Sequence, residues 1–189
     1  MIGRETKRAL RWGIPPQRLF VVCLLLLACS GTYLQGQQDE RAVRAAYVYN
    51  LTKYVTWPRS DKDLLIGVIG DGSMDQALKG VIDGKHSDQR TIRVLLHPSD
   101  AELAHCDIVY VSGPVTAHTH ALFDRLHYNP TLTVGDSGRF VLDGGMVGLI
   151  RAGDQIELQV NQDAASTAGL RISSRLLNLA VIVRVGKRG

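Results

Sequence analysis

The sequence predicts a single α/β domain: a mixed, mainly parallel sheet flanked by helices and finished by a C-terminal β-hairpin and helix. Three observations lead there. The apolar runs Leu64 to Ile69, Thr91 to Leu96, Ile108 to Val111 and Leu132 to Val134 have the length of strands. Helical patterns alternate with these runs, which is the signature of βαβ units with right-handed crossovers. After Gly144, the run Met146 to Ile150 is followed by the turn Arg151-Ala152-Gly153-Asp154. Gln155 to Val160 then alternates polar and apolar, so Ile156, Leu158 and Val160 share one face of a strand.

The first 28 residues are expected to be a signal peptide. Arg4, Lys7, Arg8, Arg11 and Arg18 make a basic region before an apolar run of about ten residues, Leu19 to Ala28, too short for a spanning helix. Leu26-Leu27-Ala28-Cys29 resembles a bacterial lipobox, which makes Cys29 a candidate for lipidation and, with Ser30 after it, for an outer-membrane address. Ordinary cleavage after Ser30 is the alternative. The whole chain carries 22 Lys+Arg and 18 Asp+Glu, a net charge of +4. The signal segment, with Glu5 as its one acid, accounts for all of that excess and leaves 17 of each sign behind. A balanced domain gives no support for nucleic-acid binding.

Residues 29–38 are expected to be a tether and 39–189 the domain. Asp39 can cap a helix to about Val55, with Val43, Ala46, Tyr47, Leu51, Tyr54 and Val55 as its apolar stripe. Pro58 ends it, and Trp57 at that end is either a core plug or a partly exposed contact. The first strand runs into the turn Gly70-Asp71-Gly72-Ser73 and a short helix from Met74 to Lys79. Gly80 to Gln89 reads as a loop. The second strand follows, then a helical turn capped by Ser99 or Asp100, then the third strand closed by Gly113-Pro114. Thr116 to His127 is a helix with Thr119, Leu122 and Leu126 on one face, and the fourth strand ends at Gly135-Asp136. The hairpin should add antiparallel strands at one edge. Beyond it, Asn161 and Asp163 start a helix with Ala164, Ala165 and Ala168 as its stripe, stopped by Gly169. Ser173-Ser174 is a second start; Ile172, Leu176, Leu179, Ala180 and Val183 fall at helical spacing, while β-branched Val181-Ile182-Val183 leave a terminal strand open.

The chemistry-bearing residues make a poor case for an enzyme. The loop after the first strand begins like a phosphate cradle, but Asp75 stands where a third glycine belongs, and Asp71 and Asp75 would repel a phosphate. His118 and His120 are two apart and His120 and His127 seven apart, with no carboxylates or cysteines completing a metal set. Asp136 and Asp143 sit in turns without a histidine or nucleophile in frame. With Cys23 in the signal segment and Cys29 lipidated or removed, Cys106 is left without a disulfide partner and reads as a buried structural thiol. No cofactor or metal is expected.

The segment from Tyr47 through Trp57-Pro58 resembles the YfiR-like family of exported proteins. The similarity continues in Ile66 to Gly70, Cys106 to Val111 and Leu132 to Asp136. It is most evident in Gly144-Gly145-Met146-Val147-Gly148-Leu149 and in Val160-Asn161 through Leu177. The resemblance implies a non-catalytic periplasmic repressor. Such a protein contacts the periplasmic part of a membrane-bound diguanylate cyclase, forms homodimers, and is sequestered by a peptidoglycan-binding outer-membrane lipoprotein. The founding type carries disulfides, one through a cysteine like Cys106; here the partner near Ile66 and the pair near Met146 are absent, which removes such redox control. A small-ligand sensor using the crevice at the carboxyl ends of the strands is the alternative. As contact residues, Trp57, Arg171 and Arg175 are the candidates, since Trp and Arg are enriched in interface hot spots.

Overall fold

A computed structural model describes residues 40–58 and 63–185. Helix α1 covers 40–54 and passes directly into β1, Val55–Thr56. Strand β2, Leu64–Gly70, leads into α2, Asp75–Ile82. A hairpin of β3, His86–Ser87, and β4, Arg90–Leu96, follows. The helical turn α3, Asp100–Leu103, precedes β5, Ile108–Ser112; α4, Ala117–Leu126, precedes β6, Leu132–Gly135. The C-terminal part holds β7, Val147–Ala152, β8, Gln155–Val160, α5, Gln162–Thr167, β9, Arg171–Ile172, α6, Ser174–Leu177, and β10, Val181–Ile182.

The caps explain where the helices begin. Ser99 and Thr116 form reciprocal capping boxes with Glu102 and Thr119, and Asn161 and Ser173 accept from the N–H groups of Ala164 and Leu176. Each satisfies donors that a helix start otherwise leaves unpaired.

The main sheet of the described residues has the order β10-β8-β7-β6-β5-β2-β4-β3. Its five central strands β4, β2, β5, β6 and β7 are all parallel. Strand β2 lies between β4 and β5, so the winding direction reverses there, the arrangement of a doubly wound sheet. Two apolar layers cover the faces. On one, Ala45, Val48 and Leu51 of α1 and Leu78 and Ile82 of α2 pack on Ile66, Val68, Ile108, Tyr110, Val134 and Leu149. On the other, Leu103, Leu122, Phe123 and Leu126 pack with Val109, Val111, Phe140 and Val141. Period two along β2 and β5 sends alternate residues to the two layers. Gly135 and Gly145 flank Phe140 so closely that a Cβ at either position would overlap its ring.

Three expectations need correction. The segment from Gly80 is not all loop: α2 runs on to Ile82, and His86–Ser87 pair antiparallel with Thr91 and Arg90. The 144–160 hairpin does not add two antiparallel strands at an edge. Its first arm, β7, continues the parallel set beside β6, and only β8 turns back. After Ser173 the helix lasts one turn, Leu179 is exposed, and Val181–Ile182 form a strand parallel to β8. The Leu179-Ala180-Val183 spacing is therefore not a buried helical stripe. The β-branched residues follow their extended preference once β8 offers them an edge.

Candidate functional site

The small ribbon β1–β9 joins the two stretches that carry the candidate contact residues. Val55 pairs with Ile172 and Thr56 with Arg171, and Ser173 N–H donates to Tyr54 O at 2.9 Å. The end of α1 with Trp57 is thus stitched to the strand that carries Arg171, and Arg175 follows on α6. Arg171 and Arg175 are exposed, and among the described residues neither has an ion pair or a side-chain hydrogen bond. Trp57 is different: it is 7 % exposed, packs in the core, and its indole N–H donates to Asp107 O at 3.0 Å. This is the core-plug arrangement for Trp57. A partner could reach only its edge.

That edge forms part of a cleft of about 440 Å³ at the amino ends of β2, β5 and β6, walled by Trp57, Pro58, Pro130, Thr131, Arg90 and Asp107. Arg90 Nη2 lies 2.7 Å from Asp107 Oδ2, which also accepts the Leu65 N–H at 2.9 Å. Both charged side chains are largely buried. The pair is held in register by a further bond from Arg90 to Asp63 O at 3.1 Å. Such a pair locks the strand starts more than it stabilises them, because desolvation offsets most of its Coulomb gain.

Cys106 lines the cleft's inner wall and is buried. Burial, with Asp107 adding to it, pushes its thiol up to about 11. A thiol so protonated is a poor nucleophile, in keeping with a packing role.

The opposite end of the sheet holds the crevice where the strand order reverses. There Asp136 Oδ2 accepts the Tyr110 O–H at 3.1 Å and Oδ1 accepts the Gly113 N–H at 2.8 Å. Burial raises Asp136 above the usual carboxylate range, against the pull of those two bonds. Tyr110 is raised well above the ordinary phenol, by burial first and then by Asp136. Asp71 is lowered by its bonds with Ser73. The turns after β2 and β5 close on each other: Asp71 N–H donates to Ser112 O at 3.2 Å, and a Cβ on Gly70, at φ +112°, would overlap that same carbonyl. Beside them His97 Nε2 meets Asp75 Oδ2 at 2.7 Å. These groups hold one another across the crevice, and it is acidic where a phosphate would need donors. Among the described residues no His/Cys/Asp/Glu group is arranged to hold a metal ion. Cys29 lies outside the described residues.

One surface escaped sequence reasoning. Leu179, Val181 and Ile182 are 80 %, 47 % and 42 % exposed along the last strand of the sheet. The sequence leaves Val181-Ile182-Val183 open as a terminal strand and puts Leu179 in a helical stripe, and neither reading marks these side chains as exposed.

Comparison with known proteins locates the chain. No curated protein matches. Among solved structures, the chain is similar to a crystal structure of an ABC domain in complex with L-tryptophan from Streptococcus pneumonia. The identity is 11 % and the TM-score 0.44; the match covers 65 % of this chain and spans 55 % of the other. No helix among the described residues is long and apolar enough to cross a membrane. A family model described as YfiR/HmsC-like matches residues 41–181, from the start of α1 to β10, and the chain belongs to that family.

Proposed function

We propose that this chain is an exported, non-catalytic regulator that restrains a membrane-bound signalling enzyme of the diguanylate cyclase type by protein contact in the periplasm. The observation that carries the reading is the family match over nearly the whole domain. The contact surface includes Arg171 and Arg175, exposed and unpaired beside the β1–β9 ribbon, with Trp57 supporting it from beneath. Cys29 carries a lipid that tethers the domain to the outer membrane, where a lipoprotein can compete for it, and the working form is a homodimer. The test is a deletion strain complemented with variants. Loss of the protein should raise cellular cyclic-di-GMP. Arg171→Ala and Arg175→Ala should leave Tm unchanged and fail to lower the signal, while wild type recovers the cyclase in a pull-down. Full repression by both stable variants would remove the arginines from the contact.

A second reading, a small-ligand sensor, draws on the cleft beside Trp57 rather than on the strand-reversal crevice. Ala104 lines its rim, so Ala104→Trp should block it. A metabolite that raises the Tm of wild type but not of that variant would establish the sensor; a screen without such a compound would remove it.

A further inference from the structure

Among the described residues the outer edge of β10 is unpaired, and it is apolar and bordered by positive charge. It is the terminal strand of the main sheet. Val183 N–H donates to Val160 O at 2.9 Å, with Ile182 paired to Val160 in a parallel register. Backbone groups alternate along a strand, so the N–H and C=O of Ile182 point away from β8 to the open side. Val181 and Ile182 are about half exposed and Leu179 almost fully so. Sheet edges are commonly guarded by charge or proline within the strand. Here Val181 and Ile182 carry neither. The charge stands at the two ends instead: Arg175 lies four residues before Leu179, and Arg184 two residues after Ile182. After Asp163 the sequence contains five basic residues and no acidic one. The nearest acid by register, Glu157, already accepts Gln159 Nε2 at 2.8 Å.

We infer that this edge takes an extended segment of the partner protein, which adds to the sheet as a strand beyond β10 and carries acidic side chains toward Arg175 and Arg184. The inference rests on the proposed function and specifies its contact. Backbone bonds to Ile182 supply the pairing. Leu179, Val181 and Ile182 supply apolar contact, and the two arginines select an acidic strand over a neutral one. Because β10 offers only one outward residue, the apolar and ionic contacts must provide most of the affinity.

The experiment uses the mature chain and the purified periplasmic portion of the cyclase recovered in the pull-down above. In the complex, the Ile182 amide should become at least tenfold slower in hydrogen exchange. Ile182→Pro removes an N–H that no strand among the described residues uses, and edge positions tolerate proline. It should keep Tm and weaken binding at least tenfold. The double variant Arg175→Glu and Arg184→Glu should weaken binding similarly at 50 mM salt, and less at 300 mM, where charges are screened. Should Ile182→Pro unfold, the exchange of Ile182 in wild type still decides. An unprotected Ile182 amide in a formed complex overturns the inference while the regulatory reading stands. A wild-type chain that restrains no cyclase sinks that reading instead. Binding of the same residues to vesicles of anionic phospholipid, with no protection by the protein, also overturns the inference and makes the edge a membrane contact.

Discussion

Gly67 stands where a partner for Cys106 would stand, and the geometry permits a bond to be built there. A Cβ added at Gly67 would lie 3.0 Å from Cys106 Sγ. In a disulfide the Cβ of one half sits about 3.0 Å from the sulfur of the other, given the S–S length and a near-tetrahedral angle at sulfur. Gly67→Cys should therefore oxidise onto Cys106. The closed loop of about 39 residues removes roughly 13 cal/mol/K from the unfolded chain, about 4 kcal/mol at 25 °C. Against this, the new Cβ would be 3.0 Å from Leu103 Cδ2 and 3.2 Å from Pro98 Cγ, so both must give by a few tenths of an ångström. Overpacking of that kind costs about 1–3 kcal/mol. The net gain is about 1–3 kcal/mol, or a rise in Tm of roughly 2–10 °C for a domain of this size. The assay is thiol titration with intact mass, then thermal melting with and without reductant. Oxidised protein should have lost two hydrogens and melt above wild type. Reduced protein, and Gly67→Ala as a control, should melt below it. Two free thiols after oxidation, or a Tm indifferent to reductant, would refute the placement of β2 against α3.

Three further outcomes are expected. Leu158→Ala should cost about 2–5 kcal/mol, because that side chain is buried in the layer facing α1, whereas Glu157→Ala on the other face should cost under about 0.5 kcal/mol; equal losses would show the β8 register to be wrong. Cys29→Ala should abolish fatty-acid labelling and leave the domain folded, and a wild-type chain without label whose mature N-terminus lies beyond Cys29 would end the lipoprotein proposal. Asp136, raised by burial, binds its proton more tightly in the folded than in the unfolded chain. Stability must then fall as pH rises from the unfolded carboxylate value, near 3.9, through the elevated folded one. The Tm of Asp136→Asn relative to wild type should climb across that window and level off above it; a difference that is flat with pH would exclude a raised Asp136.

Much of this protein could be read from its sequence alone. The four long central strands, the helix starts near Ser99, Thr116, Asn161 and Ser173, the α/β class and the buried Cys106 follow from patterns within a dozen residues, while the short strands β1, β3 and β9 do not. Such patterns act locally: a capping hydroxyl or a run of β-branched residues exerts its effect before distant segments meet. The order of strands is another matter. That β2 lies between β4 and β5, that β7 stays parallel while β8 turns back, and that β10 lies outside β8 depends on which edges remain open once the others have paired. No local periodicity records that choice. The same holds for the contact residues. Residue type offers Trp57, Arg171 and Arg175 as contact candidates and leaves Trp57 open as a core plug; the tertiary structure buries Trp57 under the Asp107 carbonyl and leaves the two arginines in solvent. Leu179 could equally have lined a core helix, and Val181 and Ile182 are open to a terminal strand without any sign of which side chains it would leave in solvent. All three are exposed among the described residues, where α6 stops after one turn and β8 takes up the backbone that follows.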